Sequence, residues 1–414
     1  MNSIRRYAVS LIFMLPAAFF SPWAWSEREC PILPSEAEVI IDPTSEAKVI
    51  FVTNHLSEES NLYFHQGSWL ADGSLLVFWS ERSGKRKLYG FLESTGELAQ
   101  LQEDNTSILY DPSCSRFKNS IYLVMPDGFH EWKVTVSPAS GEAASQVAIE
   151  DRLFAPLPED WEGIAGITEN SDGNAIVAGF NSKGPAASRI ILVDTRSGEI
   201  REVAALDAEI SHIQASWVTP DLIMFVKGRR GSDRTVPDDP SREVLARMWL
   251  ADLSDKEPWP LYPQEQGELV THECWWVKDQ ITFCSGQKAR GYAEEAHVKV
   301  LDLSTGITRI IGAGAWWPSG APEEVSKYNW WHASGSPDGR WVAADNWHGC
   351  IGIFSALTSR TRLLVQNHRT YGKGLHPHVG WDPSSTKVVF TSNLRGNADV
   401  CIGILPEKWL AQAW

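Results

Sequence analysis

The sequence predicts an all-β chain folded as a seven-bladed β-propeller of four-stranded blades, and three observations lead there. A short unit recurs along the chain, no segment keeps a sustained helical period, and 20 tryptophans are spread through its 414 residues. The unit is a turn with Asp-Gly or a similar breaker, an apolar strand, a second strand, and a Thr-Gly or Ser-Gly hairpin. Clear copies are Ser68 to Gly73 with the apolar run Leu75 to Trp79, then Lys87 to Leu92 and Ser94-Thr95-Gly96-Glu97. Another is Ser336-Pro337-Asp338-Gly339-Arg340-Trp341, and hairpins recur at Ser140-Gly141-Glu142, Arg196-Ser197-Gly198-Glu199 and Ser304-Thr305-Gly306. Unit starts near residues 68, 112, 166, 216, 274, 332 and 380 lie about 44 to 58 apart, the spacing of four-stranded blades. Large indole rings suit the space between blades. A pair of β-sandwiches would not explain seven similar units. Only Ser241 to Met248 reads as a short helical turn, inside an insertion of the fourth unit.

From the start of the chain, residues 1–26 read as a secretory signal. Arg5 and Arg6 form a basic segment, Val9 to Phe20 an apolar core, and Ala24-Trp25-Ser26 a small-x-small cleavage site. Pro16 interrupts the apolar run, which is short for a bilayer span, so removal is expected rather than anchoring. Residues 27–414 then form one propeller domain, periplasmic or secreted, with no membrane span. The formal net charge of −15 excludes a nucleic-acid partner, which needs a basic stripe on the protein. An anionic substrate must instead be met by a local cation or a metal. Six cysteines in an exported chain permit three disulfides; Cys274–Cys284, Cys350–Cys401 and Cys30–Cys114 is one of 15 connectivities. Their spacing makes no zinc motif.

Five of the 11 histidines fall near unit beginnings: His212, His272, His332, His376 and His378. The loop before the axial strand of a blade lines one mouth of a propeller's channel, so these imidazoles are expected to face one another there. Pro377 disfavours helix at His376, and alternate residues of an extended segment project to one side, so His376 and His378 converge. Such a pair is a metal ligand pair or a polar binding lip; surface histidines at a strand entrance are the plain alternative. Arg247 adjoins a strand and is expected to face the channel, whereas Arg229, Arg230 and Arg242 read as a charged loop. Asp345, Asp382 and Asp399 read as turn or capping residues. No Gly-x-Ser-x-Gly elbow, phosphate loop or dinucleotide fingerprint is present.

Several segments together resemble the oligogalacturonate lyase family, seven-bladed propellers acting on pectin fragments. They are Ser211-His212-Ile213-Gln214, Arg247-Met248-Trp249, Val270-Thr271-His272-Glu273 with Trp275, His332 to Gly339, His376-Pro377-His378, and Val389 to Asn397. The resemblance covers most of the chain after the signal. It implies that His332, His376 and His378 hold a divalent metal, typically manganese, and that His272 and Arg247 lie at the catalytic centre. The implied reaction is β-elimination, in which a base takes the C5 proton of a uronic acid and the C4 glycosidic oxygen leaves. Metal on the uronate carboxylate is the Lewis acid such weakly acidic protons require, and a neutral imidazole is a suitable base near neutral pH. His272 is the expected base and Arg247 the electrostatic helper, roles that could be exchanged. His-rich ligation suits zinc or another transition ion better than calcium.

One departure stands out. The family commonly has glutamine three residues before the His-Pro-His stretch, in the metal shell, and here that residue is Lys373. An ammonium cannot ligate, so either water and substrate complete the shell or Lys373 itself meets a uronate, with a weaker metal or none. His212 and Lys373 are thus the expected substrate contacts. Residues 312–329 read as an insertion, and the segment between His332 and His376 is short; both point to a substrate other than plain oligogalacturonate. The leading expectation is a polysaccharide lyase on an acidic oligosaccharide. Against it stand a non-catalytic propeller that binds carbohydrate or protein, and a metal-dependent hydrolase, which would want a carboxylate pair beside the metal.

Overall fold

Each repeat folds as an antiparallel sheet, and the seven sheets form the blades of a ring in the computed structural model. The structure describes residues 25–140, 143–159, 161–182, 187–228, 246–254, 257–265, 267–289, 292–293, 295–314, 329–346, 348–368 and 376–411. The axial strands, in blade order, are Glu59–Asn61, Ser113–Cys114, Trp161–Glu169, Ile210–Ala215, Glu268–Trp276, Trp330–Gly335 and Gly380–Trp381. Seven units is therefore right. The expected starts at 216 and 274 are late, because the axial strands of blades four and five already begin at Ile210 and Glu268.

Sequence reasoning left residues 27–67 unplaced, and they close the ring. Lys48–Phe51 pairs with Asp399–Ile404, so the chain's beginning supplies the fourth strand of its last blade, with Glu38–Ile41 as a fifth. Ile32–Leu33 and Ser26–Glu29 add outer strands to blades one and two. Sheet edges that would stay open are thereby paired. Arg82 of blade one binds Glu36 and Glu59 at 3.0 Å each, and Arg395 of blade seven binds Glu38 at 2.9 Å, which ties this strap to both sides of the seam.

Tryptophans join blades as well as filling them. Trp275 Nε1 donates to Gln214 O at 2.9 Å, Trp276 Nε1 to Ser336 O at 2.7 Å, and Trp381 Nε1 to Ser334 O at 2.9 Å. Each bond crosses from one blade to the next and satisfies a buried indole. A Cβ on Gly335 would come within 2.2 Å of the Trp276 ring, so only glycine admits that ring. Trp276→Ala is expected to destabilise by about 3–5 kcal/mol, seen as a lower midpoint in a thermal melt.

The turn prediction holds at Ser336-Pro337-Asp338-Gly339. Gly339 has φ +75°, its N–H donates to Ser336 O at 3.0 Å, and Asp338 accepts from Arg340 N at 3.0 Å. Asp382 likewise caps its turn, accepting from Thr386 N and Lys387 N at 2.7 Å each. The expected helical turn over Ser241 to Met248 lies mostly outside the described residues, and Met248 opens the strand Met248–Ala251. One short helix, Glu407–Leu410, was not anticipated. The proposed disulfides do not form. Cys274 faces Thr282 and Cys284 faces Thr271 across two paired strands, so the register keeps those two sulfurs apart, and all six cysteines are buried thiols. Among the described residues no helix is long and apolar enough to cross a membrane.

Candidate functional site

Histidines reach the channel through irregularities in the axial strands. Pairing register shifts between Ser211 and Gln214, between Thr271 and Cys274, and between Trp330 and Ala333. Each shift is a β-bulge, which re-aims a side chain at the end of a sheet. His212, His272 and His378 have φ of +52°, +54° and +50°, the left-handed region that non-glycine residues enter at a cost of about 1–3 kcal/mol. A strained bulge recurs at one phase of blades four and five, and an unstrained one carries His332 in blade six. His378 turns in through its left-handed φ just before the axial strand of blade seven. Strain of this kind concentrates at functional sites.

His332, His376 and His378 form a triad whose ligand atoms all lie within 4.8 Å of one another. Behind it stands Asp345, fully buried. It accepts from His332 Nδ1 at 2.8 Å, from His332 N at 2.9 Å and from His378 N at 3.2 Å. Donation from Nδ1 places the His332 lone pair on Nε2, the arrangement a carboxylate imposes on a metal-binding imidazole. Burial pushes the Asp345 carboxyl up to about 6 against the pull of these bonds and of the neighbouring imidazoles, and burial lowers His378 well below its ordinary value. Three converging imidazoles with a buried carboxylate orienting one of them fit a divalent transition ion. Asp345 is therefore more than the turn residue expected from sequence.

His272 lies beside the triad. Its ring centroid is 4.0 Å from that of His332 and 5.1 Å from that of Trp331, and Nδ1 meets Thr271 Oγ1 at 2.7 Å. A proton exchanged with a ligand therefore passes through Nε2.

Arg247 and His212 converge on a residue that sequence reasoning noted but did not use. Glu273 is fully buried and accepts from Arg247 Nε at 2.9 Å, with His212 Nδ1 at 2.5 Å from its other oxygen. Burial alone would raise its pKa, but the Arg247 and His212 charges outweigh it and hold the carboxyl well below its usual range. The far nitrogen of His212, Nε2, meets Tyr63 Oη at 3.2 Å. Arg247 thus does not face the channel as an isolated cation; it neutralises Glu273 first. Among the described residues the site carboxylates Asp345 and Glu273 each serve separate partners, and no carboxylate pair stands beside the triad.

Blade one supplies what sequence reasoning missed. After Glu59–Asn61 the chain leaves the ladder and residues 62–68 cross the channel, carrying Tyr63, Phe64 and His65. Tyr63 packs on the His378 ring at 4.6 Å, and Phe64 lies 5.4 Å from His332 and 5.9 Å from His272. Burial lowers the His65 pKa to about 3, so it stays neutral. A histidine one turn before a Ser-Trp-Leu-Ala-Asp-Gly copy was the available signal. Lys373, Arg229, Arg230, Arg242 and residues 315–328 of the expected insertion lie outside the described residues.

Comparison with known proteins gives a consistent answer. No family model matches the chain. An oligogalacturonide lyase of Pectobacterium atrosepticum is 21% identical over 390 residues, covering 84% of this chain and 90% of that one. Among solved structures, an oligogalacturonate lyase from Vibrio parahaemolyticus superposes with a TM-score of 0.71 at 19% identity, over 92% of this chain and 100% of that one. An oligogalacturonate lyase in complex with manganese gives 0.72 at 19% identity, over 92% and 99%. The chain resembles these proteins in sequence along most of its length, and it shares their fold.

Proposed function

We propose that this protein, like the oligogalacturonate lyases it resembles, is a polysaccharide lyase that cleaves uronic-acid-containing oligosaccharides by β-elimination. The observation that carries the reading is the His332–His376–His378 triad with His272 against it, 4.0 Å from His332. An ion held by the triad would supply Lewis acidity toward a uronate carboxylate. Manganese, present in one of the similar structures, is the first ion to try.

His272 is the base. Its Nδ1 is committed to Thr271 Oγ1, so Nε2 takes the C5 proton. Packing between Trp331 and His332 limits its rotation, and a base held in one orientation needs no reorganisation at the moment of transfer. Arg247 is the electrostatic helper, meeting the acidic sugar with donors that Glu273 does not take. Glu273 fixes both Arg247 and His212, and His212 and Lys373 are the substrate contacts proposed from the sequence. We assign the enzyme to the periplasm or the cell exterior on the signal-like pattern of residues 1–26.

The test is near-ultraviolet absorbance of unsaturated product from a panel of oligouronides, with the protein stripped of metal and then given Mn2+. Absorbance that rises only after metal addition supports the reading. No product from any uronide, with metal content confirmed, replaces it with a carbohydrate-binding propeller.

A further inference from the structure

A second cavity, of about 320 Å³, lies on the other side of the blade-one loop from the histidines. Its wall includes Cys274, Ser334 and Gly380, each two residues further along an axial strand than His272, His332 and His378. At about 3.3 Å per residue the two sites are stacked along the channel, roughly 7 Å apart in depth. Phe64 separates them, touching the histidine rings on one side and lining the cavity on the other. Pro337 of the Ser-Pro-Asp-Gly turn also lines the cavity, which sets it toward the ends of the axial strands away from the triad.

Its lining is specific. Trp69, Trp217 and Trp381 present indole rings, and two are held rigid by their N–H groups, Trp69 to Glu93 Oε1 at 2.8 Å and Trp381 to Ser334 O at 2.9 Å. Arg116 sits over the Trp217 ring with its guanidinium carbon 5.2 Å from the centroid. Nη2 donates to Asn170 O at 3.1 Å, and among the described residues no carboxylate lies within ion-pairing distance of the guanidinium. Glu169, nearby, already accepts from Ser115 Oγ at 2.7 Å and from Arg116 N at 2.9 Å, and burial pushes its pKa up. Gln66 is 3% exposed; its Nε2 is spent on Ile167 O, while Oε1 meets no partner, and both ring nitrogens of half-buried His65 lack one too. Three unmatched polar atoms on two neighbouring residues that line one cavity mark a place where something polar binds.

We infer that this cavity is a binding site for one acidic monosaccharide, its ring stacked on the tryptophans, its carboxylate on Arg116 and its hydroxyls on Gln66. The volume is at the low end for small-molecule sites, which run from about 300 to 1,000 Å³, and suits one sugar rather than a chain. Indole faces take the apolar face of a pyranose. A guanidinium whose neighbour Glu169 acts on it through space, its oxygens taken by Ser115 Oγ and Arg116 N, takes a second carboxylate in a planar fork. The site does not depend on the lyase reading, because occupancy is measured without turnover.

Isothermal titration with D-galacturonate and with D-galactose tests it, on the whole metal-loaded protein. Arg116→Gln is expected to weaken galacturonate at least tenfold, Arg116→Lys to weaken it less, and His272→Ala to leave it unchanged. Arg116→Gln should still eliminate oligouronides at the wild-type rate, which also shows that it folds; an inactive enzyme with these binding results would sink the lyase reading and leave the site standing. Three outcomes overturn the site: no binding of galacturonate (a cavity filled by water), equal binding of galactose, or binding lost in His378→Ala and kept in Arg116→Gln.

Discussion

Replacing His272 by alanine is expected to lower kcat on oligouronides about 10²–10⁴-fold while KM changes little. That range is what a positioned general base contributes. The ring touches the triad, its centroid 4.0 Å from that of His332, but His272 is not one of the three converging ligands. Metal content of the variant, measured on the purified protein, should therefore match wild type. A fall in kcat with metal retained identifies the base; metal lost together with activity would mean that His272 acts through the ion site. Unchanged kcat would move the role to another group, Arg247 or His212.

Glu273→Ala is expected to cost about 3–5 kcal/mol of stability, because it leaves the Arg247 guanidinium buried and unpaired. Denaturant unfolding at pH 7 measures it. The same carboxylate makes stability depend on acid. Its folded pKa lies well below the ordinary value of 4.5, so the unfolded chain binds the proton more readily. Its contribution is complete above that value and is lost as pH falls below it. Wild type should lose stability from about pH 5 downward, and Glu273→Ala should lose less across the same window. Parallel curves for the two proteins would show that Glu273 is not held ionised by Arg247 and His212.

Much of this protein was legible one residue at a time. Asp-Gly turns, short apolar strands and Thr-Gly hairpins act locally, so seven units could be counted from sequence, and the seven axial strands bear the count out. All five phase-matched histidines were read as neighbours, and the structure brings His272, His332, His376 and His378 within ring contact, with His212 6.4 Å from His272. What failed to show has a common cause in contacts between residues far apart in the chain. Asp345 looked like a turn residue because its partner His332 lies 13 positions earlier on a paired strand. Glu273 carried no signal of its own, since Arg247 and His212 reach it from blade four. Tyr63, Phe64 and His65 sit in blade one and meet histidines of blades four to seven only because the ring closes, and the closing strand Lys48–Phe51 pairs with a partner some 350 residues away. Local sequence determined the repeat, its turns and the phase of the histidines, because those depend on neighbouring residues. Tertiary structure alone decided which loop divides the channel, which carboxylate orients His332 and which one holds Arg247 and His212, and which polar atoms remain unmatched beneath them, because closure of the ring sets those distances.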